Sequence, residues 1–157
     1  MSEASVVAIF LHRQKARPMD PVESVRVEAG AGLEGDTYYE GPDSTADKSG
    51  GDREVTLIES EAVESATRES GLPLTTAESR RNLVTRGVRL NPLVGREFEV
   101  GSVRLRGIRL CHPCDHLEAL TRPGVLKALT NRGGLRAQVV EGGTIWVGDR
   151  VSVAPVA

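Results

Sequence analysis

Residues 97–110 read EFEVGSVRLRGIRL, and this stretch decides the fold class. Apolar and polar residues alternate along it, which is the period of two expected for strands with one buried face. Gly101 interrupts the alternation, so the stretch predicts two short strands, Glu97 to Val100 and Val103 to Leu110. We therefore expect a β-rich fold.

Similar short segments recur on both sides of this stretch. Further strands are predicted at Ser5 to Leu11, Val22 to Glu28, Arg53 to Ile58, Asn82 to Leu90, Leu135 to Val140, Thr144 to Val147 and Arg150 to Val153. Helices are predicted at Ser60 to Ser70, Asp115 to Leu120 and Gly124 to Thr130. Many short strands with few helices between them predict a barrel or a sandwich rather than a doubly wound sheet.

Length and composition are those of an ordinary globular protein. The 157 residues fit one domain, residues 1–157, with 39% apolar and 27% charged residues. A net charge of −2 argues against nucleic acid or an anionic membrane as the main partner. The early apolar run Val6 to Leu11 is far shorter than the ~20 residues of a membrane span. The two cysteines, without an export signal, predict a cytoplasmic protein with free thiols.

Residues 30–51 form a long predicted loop, rich in Gly, Asp, Ser and Pro. A loop of this length inside a compact domain is usually functional or disordered. Its first six residues, GAGLEG, satisfy the glycine pattern of dinucleotide sites. Such a site needs a helix after the third glycine to receive a pyrophosphate, whereas residues 36–42 read DTYYEGP and predict no helix. We interpret these glycines as a turn.

Cys111-His112-Pro113-Cys114 has the spacing of thioredoxin-type motifs. In those motifs the reactive thiol is the first cysteine, at a helix N-terminus within a βαβ unit. Here Cys111 ends a strand and Cys114 begins the helical stretch, so the order is inverted. A thiol–disulfide exchange module using both cysteines is therefore kept as an alternative. A structural zinc site is less favoured, because it needs four ligands, usually from two separated pairs.

Six segments with functional residue types follow one another along the chain. They are LEGD at 33–36, Arg53, ESRRNL at 78–83, LCHPC at 110–114, NRGGLRA at 131–137 and GGTIWVGD at 142–149. Together they supply a carboxylate, several guanidinium groups, an amide, and a thiol where a strand passes into a helix.

The order and spacing of these segments resemble the MOSC domain, named for the C-terminal domain of molybdenum cofactor sulfurase. The resemblance runs from about Leu33 to Val153 and looks like a stand-alone bacterial member. Its most specific parts are the Pro113-Cys114 pair and the RGGLRA segment at 132–137, followed by the Gly-Asp hairpin. Many family members carry Gly-Glu-Asn-Leu where this chain has Arg-Arg-Asn-Leu at 80–83. A ligand contact made by that glutamate is therefore not carried over, and the tight glycine turn is expected to be lost.

The resemblance implies a mainly β fold of short mixed and antiparallel strands that close into a barrel, with a few short helices. It also implies binding of the molybdenum–pterin cofactor, or carriage of sulfur from a pyridoxal-phosphate-dependent cysteine desulfurase. Both chemistries run through Cys114, as the molybdenum ligand in a reductase of N-hydroxylated compounds or as the holder of a persulfide. The residues leave open whether the chain is a molybdenum-dependent oxidoreductase or a sulfurtransferase.

The chemistry of the side chains agrees with this implication. A thiolate is both a nucleophile and a soft metal ligand, and a helix N-terminus near arginines favours the thiolate of Cys114. Molybdopterin carries a phosphate, which arginine forks recognise, and a pterin ring, which an amide can hydrogen-bond. The expected cofactor-binding residues are Asp36, Arg53, Arg81, Asn82 and Arg132. The expected partners are the pterin cofactor and a cysteine desulfurase or a redox protein.

Overall fold

The computed structural model describes residues 4–13, 18–36, 54–111 and 124–153. Its strands are β1 (Ser5–Leu11), β2 (Asp20–Val22), β3 (Ser24–Glu28), β4 (Gly32–Leu33), β5 (Val55–Glu59), β6 (Leu83–Arg86), β7 (Glu97–Val100), β8 (Val103–Leu110), β9 (Leu135–Glu141), β10 (Gly143–Trp146) and β11 (Val151–Val153). The α-helices of the described ranges are α1 (Ser60–Ser70) and α2 (Val125–Ala128), and short 3₁₀ helices are η1 (Ala77–Ser79) and η2 (Asn91–Leu93). The prediction of a mainly β fold with few helices is confirmed.

The strands form two sheets. The larger has eight strands in the order β11-β7-β8-β9-β5-β6-β1-β2, and the smaller has three in the order β10-β3-β4. β5 and β6 pair in parallel, and the other pairs are antiparallel. A parallel pair cannot be joined by a tight turn, and here the connection from β5 to β6 contains α1 and η1.

The prediction of a closed barrel is wrong, because the eight-stranded sheet is open. Its edges are β11 and β2, and within the described ranges no ladder joins them. The first residues of β1 reach the turn before β11 through one bridge, between Ser5 and Arg150, and Val6 N–H donates to Asp149 O at 2.9 Å. β1 is already paired with β6 and β2, and β11 has only three residues, so no continuous closing ladder forms.

Several predicted elements have the observed bounds, namely β1, β7, β8 and α1. The predicted strand Val22 to Glu28 is divided into β2 and β3, and β6 ends at Arg86, just before Gly87 with φ 84°. The predicted loop contains β4, and residues 30–36 contain no helix; the residues after Asp36, where a dinucleotide turn would need its helix, lie outside the described residues. The rest of that loop and the predicted helix Asp115 to Leu120 lie outside the described residues.

The large sheet is apolar on both faces near its centre. One hydrophobic cluster joins it to the small sheet and includes Leu57, Leu83 and Ile145. A second cluster lies under α1 and includes Ile58 and Val63. Consecutive residues of β5 therefore enter different clusters, as expected for a strand buried on both faces. In the described ranges no helix is long and apolar enough to cross a membrane.

Arg80 keeps the left-handed turn at the position where the family motif has glycine. Its φ and ψ are 59° and 32°, and its N–H donates to Ala77 O at 3.1 Å, which closes η1. The turn is thus retained although the glycine is replaced. A left-handed conformation costs an L-residue about 1–2 kcal/mol, so Arg80 is held at the expense of stability.

Replacing Arg80 with glycine is expected to raise the free energy of unfolding by about 0.5–1 kcal/mol, since relief of the left-handed strain exceeds the added chain entropy. Urea denaturation monitored by circular dichroism measures this change. Arg89→Gly is the matched control, because Arg89 is exposed and its φ is not positive, and it is expected to lose stability. A less stable Arg80→Gly protein would show that contacts of the arginine side chain outweigh the strain.

Candidate functional site

The end of β1 and the start of β6 lie side by side and carry a group of polar residues. The two strands are antiparallel, and Phe10 N–H donates to Asn82 O at 2.7 Å. His12 follows β1 directly, and Asp36 follows the short strand β4. This end of the sheet thus gathers side chains that are far apart in sequence.

Asp36 is the centre of this group. Its Oδ1 accepts hydrogen bonds from His12 N–H at 2.7 Å and Asn82 Nδ2 at 3.1 Å, and it lies 3.2 Å from His12 Nδ1. The side chain of Asp36 is 2% exposed and that of His12 is 12% exposed. A buried carboxylate is costly unless it is hydrogen-bonded, and these contacts provide the compensation. With Asp36 ionised, His12 Nδ1 is the donor.

The Asn82 amide connects Asp36 to the two flanking strands. Its Oδ1 accepts Thr56 N–H at 3.1 Å and the Thr56 hydroxyl at 3.0 Å. Its Nδ2 donates to Phe10 O at 3.0 Å as well as to Asp36. A side-chain amide has two donors and two acceptor lone pairs, so all four are used within the protein. Asn82 therefore fixes where Asp36 lies.

Arg81 connects the end of β8 to the residues just before the start of β9. Its Nε donates to Gly133 O at 2.7 Å, and one terminal nitrogen donates to Cys111 O at 3.4 Å. Cys111 N–H in turn donates to Gly134 O at 2.7 Å. The guanidinium is buried and ties together the two ends of the connection from β8 to β9, which includes residues 112–123.

Arg132 makes its hydrogen bonds in a different part of the molecule. Its Nε donates to Ala128 O at 2.8 Å, at the end of α2, and a terminal nitrogen pairs with Glu69 of α1 at 2.5 Å. The hydrogen bond and the charge of Arg132 lower the pKa of the Glu69 carboxyl below its usual range. This arginine thus links α1 to the chain that precedes β9.

Of the predicted site residues, the structure brings Asp36 and Asn82 into contact, and Arg81 directly precedes Asn82 in the chain. Arg132 is directed to Glu69, and the predicted residues Arg53 and Cys114 lie outside the described residues. Sequence reasoning missed two members of the group, His12 and Thr56. The only signal was that His12 directly follows a predicted strand, because its contact with Asp36 spans 24 residues of chain.

Cys111 is a free thiol that is 1% exposed, so its side chain belongs to the interior of the protein. Within residues 4–13, 18–36, 54–111 and 124–153, no group of three His, Cys, Asp or Glu side chains is arranged to hold a metal ion.

Several solved structures share this fold. The YuaD protein from Bacillus subtilis superposes with a TM-score of 0.82 at 14% identity, over 99% of this chain and 98% of that chain. YiiM from Geobacillus stearothermophilus has a TM-score of 0.73 at 18% identity, over 97% of this chain and 75% of its own. YiiM from Escherichia coli has a TM-score of 0.70 at 17% identity, over 100% and 72%. At these identities the likeness shows the fold alone.

The sequence itself carries the family assignment. A search of the curated proteins finds no significant match. The family model described as the MOSC domain matches residues 36–152, from the buried carboxylate Asp36 to β11. This match spans most of the chain and includes Arg81, Asn82 and Cys114. The chain therefore belongs to the MOSC domain family.

Proposed function

We propose that this chain binds the molybdenum–pterin cofactor, with Cys114 as the ligand to molybdenum. The observation that carries the proposal is that Arg81 ties together the two ends of the connection from β8 to β9, through Cys111 O and Gly133 O, and that Cys114 lies within this connection. A metal ligand must be held in place by the surrounding protein, whereas a persulfide carrier needs a cysteine that moves between donor and acceptor. A connection whose two ends are held together favours the first role.

The chemistry of the residues fits this cofactor. A thiolate is a soft ligand that suits molybdenum, and arginine is suited to the phosphate of the pterin. When bound, the cofactor would supply the two-electron redox chemistry needed to reduce an N-hydroxylated compound. The chain would supply the thiolate of Cys114 and the frame that orients it. Arg53 remains a proposed phosphate partner.

Asp36 and Asn82 are assigned positioning roles in this proposal. The four hydrogen bonds of the Asn82 amide all end within the protein, which argues against the expected contact with the pterin ring. Asp36 ties His12 to the start of β6, next to Arg81. The group therefore stabilises the end of the sheet from which Arg81 reaches across to β8 and β9.

The burial of Cys111 argues against a thiol–disulfide module. Exchange requires a thiolate that can reach the disulfide of a partner, and a side chain that is 1% exposed does not provide one. Sulfur carriage by Cys114 alone remains the competing outcome of the experiment that follows.

Cys114 and Cys111 are expected to differ in their effect on cofactor retention. Cys114→Ser should lose molybdenum and keep its fold, because it removes the ligand. Cys111→Ser should keep molybdenum, with about 1 kcal/mol lost because the thiol is packed in the interior. The measurement is molybdenum and pterin per chain in protein purified from a host that makes molybdopterin. Absence of molybdenum from the unmodified protein, together with a persulfide mass adduct on Cys114, would establish the carrier role instead.

Asn82→Asp tests the positioning role by placing a second carboxyl beside Asp36. At pH 7 it is expected to lower the free energy of unfolding by about 3 kcal/mol, because two buried carboxyls then compete for the same donors. Burial and the charge of Asp36 raise the pKa of the new carboxyl in the folded state. The loss should therefore be smallest near pH 4 and grow as the pH rises through that raised pKa.

The matched control is Asn91→Asp, where an exposed amide donates to Asn131 O at 3.2 Å. This variant should change the free energy of unfolding by less than about 0.5 kcal/mol at either pH. Denaturant unfolding at pH 4 and pH 7 measures both proteins. Equal, pH-independent effects of the two substitutions would show that Asn82 and Asp36 have no positioning role in the site.

A further inference from the structure

The face of the large sheet that packs under α1 becomes charged beyond the helix. Beneath α1 this face is apolar, with Ile58 of β5 packed against Val63. On β7 and β8 the same face is polar, because Phe98, Leu105 and the residues that alternate with them point the other way, into the cluster between the two sheets. The charged face, as we call it here, consists of Glu97, Glu99, Arg104 and Arg106.

The charged face carries one sign of charge on each strand. Both of its β7 residues are glutamates, and both of its β8 residues are arginines. Glu97 is the register partner of Arg106, and Glu99 is the register partner of Arg104. Each couple forms an ion pair within the chain, and the four side chains are 39–53% exposed. A negative row therefore lies beside a positive row, with their residues at matched levels.

Two such rows are complementary to a second copy of themselves. A two-fold axis between β7 and β8, parallel to the strands, exchanges the two rows and keeps each residue at its level. In two copies packed face to face, Glu97 then lies opposite Arg106 of the second copy, and Glu99 lies opposite Arg104 of the second copy. Packed sheets are ~10 Å apart, a gap that an arginine and a glutamate side chain span together.

The strands on either side of the two rows fit the same axis. Glu141 of β9 is the register partner of Arg104, and Ser152 of β11 is the register partner of Glu99. The axis places Ser152 of one copy opposite Glu141 of the other, where a hydroxyl can donate to a carboxylate. Both residues are exposed. Four adjacent strands are thus compatible with one symmetry operation.

We propose that the charged face is an interface between two copies of this chain. A partner whose surface carries one sign of charge would be repelled by one of the two rows, whereas a second copy matches both. In the dimer each charged side chain has an opposite charge in its own chain and another in the second copy, and such networks contribute more than isolated exposed pairs. This interface does not depend on the proposed function.

The dimer is expected to be weak and sensitive to salt. Four short strands offer less than the roughly 800 Å² per partner of a standard interface, and the contact is polar. We expect a dissociation constant on the order of 100 μM in about 20 mM NaCl. Sedimentation equilibrium of the full-length protein measures it. In about 500 mM NaCl the association constant should fall tenfold or more, because salt screens exposed charges.

Charge reversal at one level separates contacts between copies from contacts within a chain. Glu97→Arg and Arg106→Glu each place like charges opposite one another across the axis, so each variant alone should associate at least tenfold more weakly than the unmodified protein. An equal mixture of the two variants should recover the association, because each row then faces the opposite charge. The charges within each chain are the same in the mixture as in the separate variants, so effects on folding do not produce this recovery.

Two further variants complete the test. The double variant Glu97→Arg/Arg106→Glu restores opposite charges within and between chains, and it should associate as the unmodified protein does. Glu64→Arg is the matched control, since it breaks the exposed ion pair with Arg86 elsewhere on the surface and should leave association within about twofold. The proposal is overturned if the unmodified protein stays monomeric in low salt at about 500 μM. It is also overturned if the mixture associates no better than its two components.

Discussion

The side-chain amide of Asn82 is the contact on which the rest of the site depends. It is the one group described that bonds to β5, to β1 and to the carboxylate that follows β4, through Thr56, Phe10 and Asp36. Only a residue with two donors and two acceptors can satisfy these partners together. Because the amide is buried, loss of any one bond would leave a polar group without water to replace it. This contact also fixes the start of β6, and with it the backbone position of Arg81.

The parallel pairing of β5 and β6 gives the fold its asymmetry. The crossover between them carries α1 onto one face of the large sheet, while the small sheet covers the other face. The end of β1, the start of β6 and the residues after β4 meet where Asp36 lies. The arrangement places a polar margin, which includes the buried Asp36 and Arg81, beside an apolar centre, and polar groups that fix a ligand characteristically occupy such margins.

The sequence alone predicts the elements whose signals are local. The alternation in β7 and β8 and the Gly71 stop of α1 gave correct bounds, because period and capping act within a few residues. Closure of a sheet depends on pairing between distant strands, which no local pattern encodes, and the barrel prediction failed there. For the same reason the sequence did not predict that His12 contacts Asp36 or that Arg109 is the register partner of Arg136. These contacts depend on tertiary packing and on strand register. Asp36 and Asn82 were identified from the family motif, and their mutual contact needed the structure.

An open sheet must also protect itself from other chains, and the edge strand β2 shows how this chain does so. Its central residue, Pro21, has no backbone N–H to offer to an incoming strand. The preceding Asp20 is exposed and lies 3.2 Å from Arg13 Nε, so a charge pair stands at the same edge. Proline and charge at an edge are the features that natural sheets use against edge-to-edge aggregation. The absence of a closing ladder is thus compatible with a protein that resists aggregation along this edge.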